Sequence, residues 1–233
     1  MSLYAWLMVS SFVGPFALSF DKKVAFYKWF KPLFIGIAIN ALLFILWDGW
    51  FTRAGVWGFN NQYVWHYRFN DLPIEEWSFF IVVPFASVFI YACLKSYLSD
   101  SFFKPLVTYI NYFFIIILAL ASIVFYQKTY TLVNCSLALV LLLWHQFYLK
   151  KPYMAYFWMA YVVHLIPFLL VNGVLTGAVT PEPVVYYNPI EIIGLRIVTI
   201  PIEDTIYALT CLLIPITVME YLLENKQKKS LTN

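Results

Sequence analysis

The sequence predicts an all-α integral membrane protein of seven transmembrane helices, arranged as a 3+1+3 parallel tandem repeat. Three observations predict it. The first is composition: 63% of the 233 residues are hydrophobic and 12% charged, against about 45–50% and about 25% in soluble domains. Mean hydropathy is +0.77. The second is the blocking of apolar residues into runs long enough to cross roughly 30 Å of hydrocarbon at about 1.5 Å per residue. The third is an internal duplication at a constant offset of 128 residues.

Seven apolar blocks stand out, at residues 3–20, 32–50, 75–94, 105–125, 130–148, 153–174 and 202–223. The first has no basic leading segment and no small-residue cleavage site, so it reads as a retained helix and not a signal peptide. Two connections are long, 51–74 and 175–201, and both carry Gly, Asn, Pro and aromatics with little charged or Ser-rich linker material. Such loops are expected to fold back on the membrane face. Residues 224–233 read as a short polar tail.

Charge supports the count of seven. Eleven Lys fall on the side of the C-terminus, and only Arg53, Arg68, Lys128 and Arg196 on the side of the N-terminus. The positive-inside bias puts the N-terminus outside and the C-terminus in the cytoplasm, in a multi-pass protein of the cell membrane. A net charge of +3 offers no basic patch for nucleic acid. Cys93, Cys135 and Cys211 lie in apolar blocks and read as small core residues, with neither metal spacing nor a disulfide framework. Aromatics make up 21%, with 22 Phe. Membrane-interface belts use Trp and Tyr, so the excess of Phe points to a pocket for a flat apolar ligand.

The duplication is carried by residues 60–76 and 188–204. Asn60/Asn188, Arg68/Arg196, Pro73/Pro201, Ile74/Ile202 and Glu75/Glu203 are identical, and Glu76/Asp204 is conservative. It divides the chain into a first three-helix repeat (1–105), a connector helix (106–128) and a second three-helix repeat (129–233). Four spans separate equivalent helices, so the two units point the same way, about an axis along the membrane normal. Both Pro-Ile-acid motifs then lie at one depth and face each other.

These motifs suggest acid–base chemistry. Each Pro opens a helix, where its missing N–H costs nothing, and two acids follow. A single acid in a first turn is explained by the helix dipole. Two in tandem, twice, at membrane depth, favour function. Adjacent helical residues project about 100° apart, so one acid of each pair can face a shared cavity while the other bonds to the loop, with Arg68 or Arg196 as the expected partner. Desolvation and ion pairing would then separate an acid from a base. Phe79 and Tyr207 fall four residues after Glu75 and Glu203 and place a ring beside each acid, where an aromatic face can shelter a cation. Asp48, within Trp47-Asp48-Gly49-Trp50, is either an interfacial residue between belt tryptophans or part of the site. His66, His145 and His164 are scattered and read as interior histidines, and Glu182 and Glu191 as residues of a solvated loop face.

At these residues the chain resembles the small membrane-embedded lycopene cyclases, which occur as bacterial heterodimers and as the cyclase half of fungal bifunctional proteins. Trp47-Asp48, the run from Gly55 to Asn60, and Pro73-Ile74-Glu75-Glu76 resemble the first repeat of that family. Asn172-Gly173, Gly194-Leu195-Arg196 and Pro201-Ile202-Glu203-Asp204 resemble the second. The resemblance implies cyclisation of linear ψ-ends of lycopene to β-rings, with Glu75, Glu76, Glu203 and Asp204 catalytic. Arg68, Arg196, Asp48, Asn60 and Asn188 would give electrostatic support, and Trp47, Phe79, Tyr207 and Asn172 would contact substrate. Expected partners are the lipid-soluble polyene and membrane lipid; a homo-oligomer, or contact with other carotenoid enzymes, is compatible with the sequence. No cofactor and no metal are expected, since no GxGxxG fingerprint and no metal-ligand cluster are present. A small proton-coupled transporter would share the 3+1+3 plan. A retinal-binding receptor is disfavoured because residues 202–223 contain no Lys. A purely structural membrane protein would leave the buried charges without a purpose.

Overall fold

A computed structural model describes residues 1–100 and 103–232. Its long helices are α1 (Leu3–Leu18), α2 (Phe30–Ala54), α3 (Ile74–Tyr97), α4 (Val107–Val124), α5 (Thr129–Trp144), α6 (Met154–Leu175) and α7 (Glu203–Thr232). The protein is an all-α membrane protein with very little sheet. Six helices are long and apolar enough to span a bilayer. The shorter α1 has 16 residues, about 24 Å. It is capped by Ser2, whose Oγ accepts from Ala5 N at 3.1 Å, and it packs along α3. A π-turn, His145–Leu149, continues α5 and ends at Lys150, whose φ is 47°. The segment read as a polar tail is helical: α7 runs on through it, and Lys151 holds Glu224. Asn233 lies outside the described residues.

The two long connections are not featureless. They form three antiparallel ribbons, which the sequence reading did not anticipate: β1 (Trp57–Phe59) with β4 (Val185–Tyr187), β2 (Arg68–Phe69) with β3 (Leu72–Pro73), and β5 (Arg196–Ile197) with β6 (Ile200–Pro201). Strands of two or three residues are too short to carry a period-2 signal. Their positions nevertheless recur at the offset of 128. The β2–β3 turn is Asn70-Asp71 at φ 55° and 64°, the left-handed pair that suits a tight hairpin. The β5–β6 turn holds Val198 at φ 59°, a costly conformation for a β-branched residue.

In the β1–β4 ribbon, Gly58 pairs with Tyr186, flanked by Trp57–Tyr187 and Phe59–Val185. Equivalent strands thus meet each other around a local two-fold. The backbone closes the ribbon reciprocally: Asn60 N donates to Val184 O and Asn188 N to Val56 O, both at 2.9 Å. Gly58 carries no side chain because a Cβ there would meet the Tyr186 ring at 2.4–2.8 Å.

Two apolar clusters hold the helices. One, with Phe85, Tyr91, Phe157, Trp158 and Leu213, fills the bundle between α3, α5, α6 and α7. The other, with Phe44, Phe51, Trp57, Tyr130 and Tyr207, lies beneath the ribbons. Gly36 lets α2 come close to α7, since a Cβ there would sit 2.8 Å from Pro215 O. Gly36→Leu should therefore lower stability by about 1–3 kcal/mol through overpacking, read as an earlier thermal transition in detergent. An unchanged transition would mean that α2 and α7 do not approach this closely.

Candidate active site

Each hairpin delivers its acids to the first turn of a helix. Ile74 N donates to Tyr67 O at 3.1 Å and Ile202 N to Leu195 O at 3.0 Å, locking β2–β3 onto α3 and β5–β6 onto α7. Glu75, Glu76, Glu203 and Asp204 follow, and all four are buried. The expected partnership with Arg does not form. Arg68 and Arg196 are exposed and staple their own turns, to Asp71 O at 3.1 Å and to Thr199 O. Arg68 also reaches Asn61. Among the described residues, neither guanidinium meets a carboxylate. The strands place these side chains on the outer surface, whereas the acids begin the helix underneath.

The two acids of each motif divide as the helical angle requires. Glu75 Oε1 accepts from Trp65 N at 2.8 Å and from the Ser2 hydroxyl. Glu203 Oε1 accepts from Ile193 N at 2.6 Å and from Thr131 Oγ1 at 2.7 Å. The remaining oxygens, Glu75 Oε2 and Glu203 Oε2, are buried without a protein partner. These first acids tie the loops to the helices.

The second acids face inward. Glu76 and Asp204 line one cavity of about 40 Å³ together with Asp48, and the rings of Trp57, Phe79 and Tyr207 wall it. Glu76 Oε2 accepts one hydrogen bond, from Tyr4 OH at 2.6 Å. Asp204 accepts three: Tyr130 OH at 2.6 Å, Asn172 Nδ2 at 2.6 Å and Tyr187 OH at 2.9 Å. Asp48 is met by Tyr207 OH at 3.2 and 3.1 Å to its two oxygens. Burial, with the Asp204 carboxylate beside it, pushes the Tyr187 phenol well above its usual value, so this loop tyrosine stays a donor. The cavity is thus quasi-symmetric in its acids and asymmetric in its donors. At the offset of 128, Asp48 corresponds to Thr176 and Asn172 to Phe44.

Of the other predicted residues, Phe79, Tyr207 and Asn172 line the cavity. Trp47 sits behind it, its ring 5.7 Å from that of Tyr207. Asn60 and Asn188 stand away from it and hold the ribbon: Asn60 Nδ2 donates to Glu182 at 2.9 Å and Asn188 Nδ2 to Gly55 O at 3.2 Å. Glu182 is exposed, whereas Glu191 is half-buried and accepts from Thr129 N at 3.0 Å. His145 and His164 are interior as expected, but His66 is exposed on the loop.

Sequence reasoning missed the tyrosines. Tyr4, Tyr130 and Tyr187 were invisible among 18 Tyr, and Tyr4 and Tyr130 stand 126 residues apart, off the register of the motif. They are nonetheless equivalent. Tyr4 N donates to Tyr63 O and Tyr130 N to Glu191 O, at 3.3 and 3.2 Å, and each hydroxyl then reaches the second acid of its own repeat. Also unread was Glu220, buried in α7 against Tyr91 and Lys95.

A family model described as lycopene cyclase matches this chain over residues 1–94 and 127–222. The two segments begin 126 residues apart and end 128 apart, the same slip of two residues that relates Tyr4 to Tyr130. No curated protein and no solved structure matches the chain.

Proposed function

The chain belongs to the lycopene cyclase family, and from that premise we propose that it closes linear carotenoid ψ-ends into β-rings by acid–base catalysis, converting lycopene to γ- and β-carotene. One observation carries this reading: the second acid of each motif and Asp48 meet in a single cavity walled by aromatic rings. In the reaction a proton adds to the terminal double bond, leaving a tertiary cation. The next double bond attacks that cation, closing the ring and moving the charge onto it. Loss of a ring proton restores a double bond, so substrate and product are isomers and no electrons are exchanged.

The donor counts divide the roles. Each hydrogen bond accepted by a carboxylate favours its charged form. Asp204, with three donors, is the base that receives the ring proton. Glu76, with one donor and Asp48 across the same cavity, is the acid that delivers one. Trp57, Phe79 and Tyr207 supply ring faces for the cation and no nucleophile. Glu75 and Glu203 are positioning residues, and Arg68 and Arg196 act only through the hairpins they staple. The Lys distribution sets the N-terminus outside and the C-terminus in the cytoplasm of the cell membrane. Descent from a duplicated three-helix unit accounts for the recurrence of the hairpins at one offset.

Expression in a lycopene-accumulating bacterium should yield γ- or β-carotene. The same conversion in D₂O should place up to one deuterium per ring closed, on the carbon next to the gem-dimethyl carbon. Absence of cyclic product overturns the function. Cyclic product without deuterium at that carbon overturns the protonation mechanism.

A further inference from the structure

The acid cavity is too small for the group it would act on. Its volume of about 40 Å³ is room for a few waters at most, so an end group must draw on adjoining space. That space exists on one side. A groove of about 280 Å³ runs between α1, α3 and α6 and shares Phe79, Phe168 and Asn172 with the cavity wall. Along α3 it extends from Phe79 to Ile90, roughly 16 Å, about half the hydrocarbon thickness. Its lining is mostly apolar, with Val83, Ala86, Ile90 and Val171 on facing helices.

At the matching position of the other half the helices pack directly against each other. At the offset of 128, Gly36 corresponds to His164 and Ser87 to Pro215. In one half the pair is Gly36 against the Pro215 backbone, with no room even for a Cβ. In the other, the pair is a side-chain hydrogen bond, Ser87 Oγ to His164 Nδ1 at 3.0 Å. Ser87 spends its only hydroxyl proton on Val83 O at 2.6 Å, so His164 must donate from Nδ1. An imidazole and a serine therefore stand between α3 and α6 where the matching helices touch directly, and both line the groove.

We propose that this groove is the binding channel for the linear polyene arm, with Phe79 and Phe168 as the gate through which one ψ-end reaches the acids, and with no second mouth in the matching half. The occupant is an unbranched-backbone, conjugated apolar chain, because the groove adjoins the acid cavity across the shared Phe79, Phe168 and Asn172, runs some way along α3, and is lined by no Asp, Glu, Lys or Arg. The proposal rests on the cyclase reading for the identity of the chain and on geometry for its path.

The test uses full-length protein in lipid nanodiscs and lycopene. Wild type should bind lycopene with an induced circular-dichroism band in the polyene region. Ala86→Phe and Val171→Phe fill the groove from opposite walls, and each should weaken that band and raise KM at least about 10-fold, the equivalent of 1.4 kcal/mol, with a smaller change in kcat. Leu42→Phe, in the separate lipid-facing groove between α2 and α3, should change neither. Two filling variants guard against one that misfolds. If either folded variant binds and turns over like wild type, or if wild type gives no induced band, the channel is wrong. If binding follows the groove variants but wild type makes no cyclic product, the channel stands and the cyclase reading falls. If wild type cyclises and the variants are silent, the cyclase reading stands and the channel falls.

Discussion

Glu76→Gln should reduce cyclisation by about 10²–10⁴-fold, the usual contribution of a general acid or base, while the protein inserts and melts normally. Gln keeps the shape and can still accept from Tyr4 OH, but it has no proton to deliver to a double bond. Asp204→Asn should fall in the same range from the other end of the reaction, because a neutral amide cannot take the ring proton. The two variants should also differ in kind. Glu76→Gln blocks the first step, so bound lycopene should remain unchanged and undeuterated in D₂O. Asp204→Asn should still allow protonation, and slow or diverted loss of the ring proton should appear as a changed pattern of isomers. Near-normal turnover in either variant would remove that residue from the chemistry.

The adjacent acids should behave in the opposite way. Glu75→Gln keeps the oxygen that accepts from Trp65 N and Ser2, and the oxygen it replaces has no partner. Activity should stay within a few-fold of wild type. Glu75→Ala strips a part-buried amide and hydroxyl of their acceptor, and should cost about 1–3 kcal/mol. Glu203→Gln and Glu203→Ala should repeat the contrast through Ile193 N and Thr131. Thermal unfolding and turnover measured together decide it. Loss of activity in the Gln variants, without loss of stability, would make the first acids reactants.

The contrast between neighbours marks where sequence reasoning runs out. The helices were legible because hydropathy over some twenty residues is a strong signal, and the acids because charge is scarce in this chain. That one acid per motif turns inward follows from helical angle alone. Which one does so depends on where the preceding hairpin leaves the chain, and β2–β3 and β5–β6 are too short to announce themselves. The Arg residues were read as partners of the acids because opposite charges seven and eight positions apart attract attention, yet the strands that begin at them leave them exposed. The tyrosines around Glu76 and Asp204 come from distant segments, and only the folded chain shows that Tyr4 and Tyr130 do the same work. Likewise Gly36 and His164 look unrelated until their helices are superimposed in register.

The reciprocal ribbon also bears on how the molecule comes to exist. Asn60 and Glu182, joined across the ribbon, are 122 residues apart. At about 5–20 residues per second of synthesis, roughly 6–24 s separate their appearance. Throughout that interval β1 has no partner, and an unpaired strand edge invites foreign pairing. The early half must therefore wait as a half-built lid over its own acids, and the late half finds its template already waiting in the membrane. Pairing of the ribbon thus waits for the second half of the chain, and α7, which brings Asp204 to the cavity, follows β4 in the sequence.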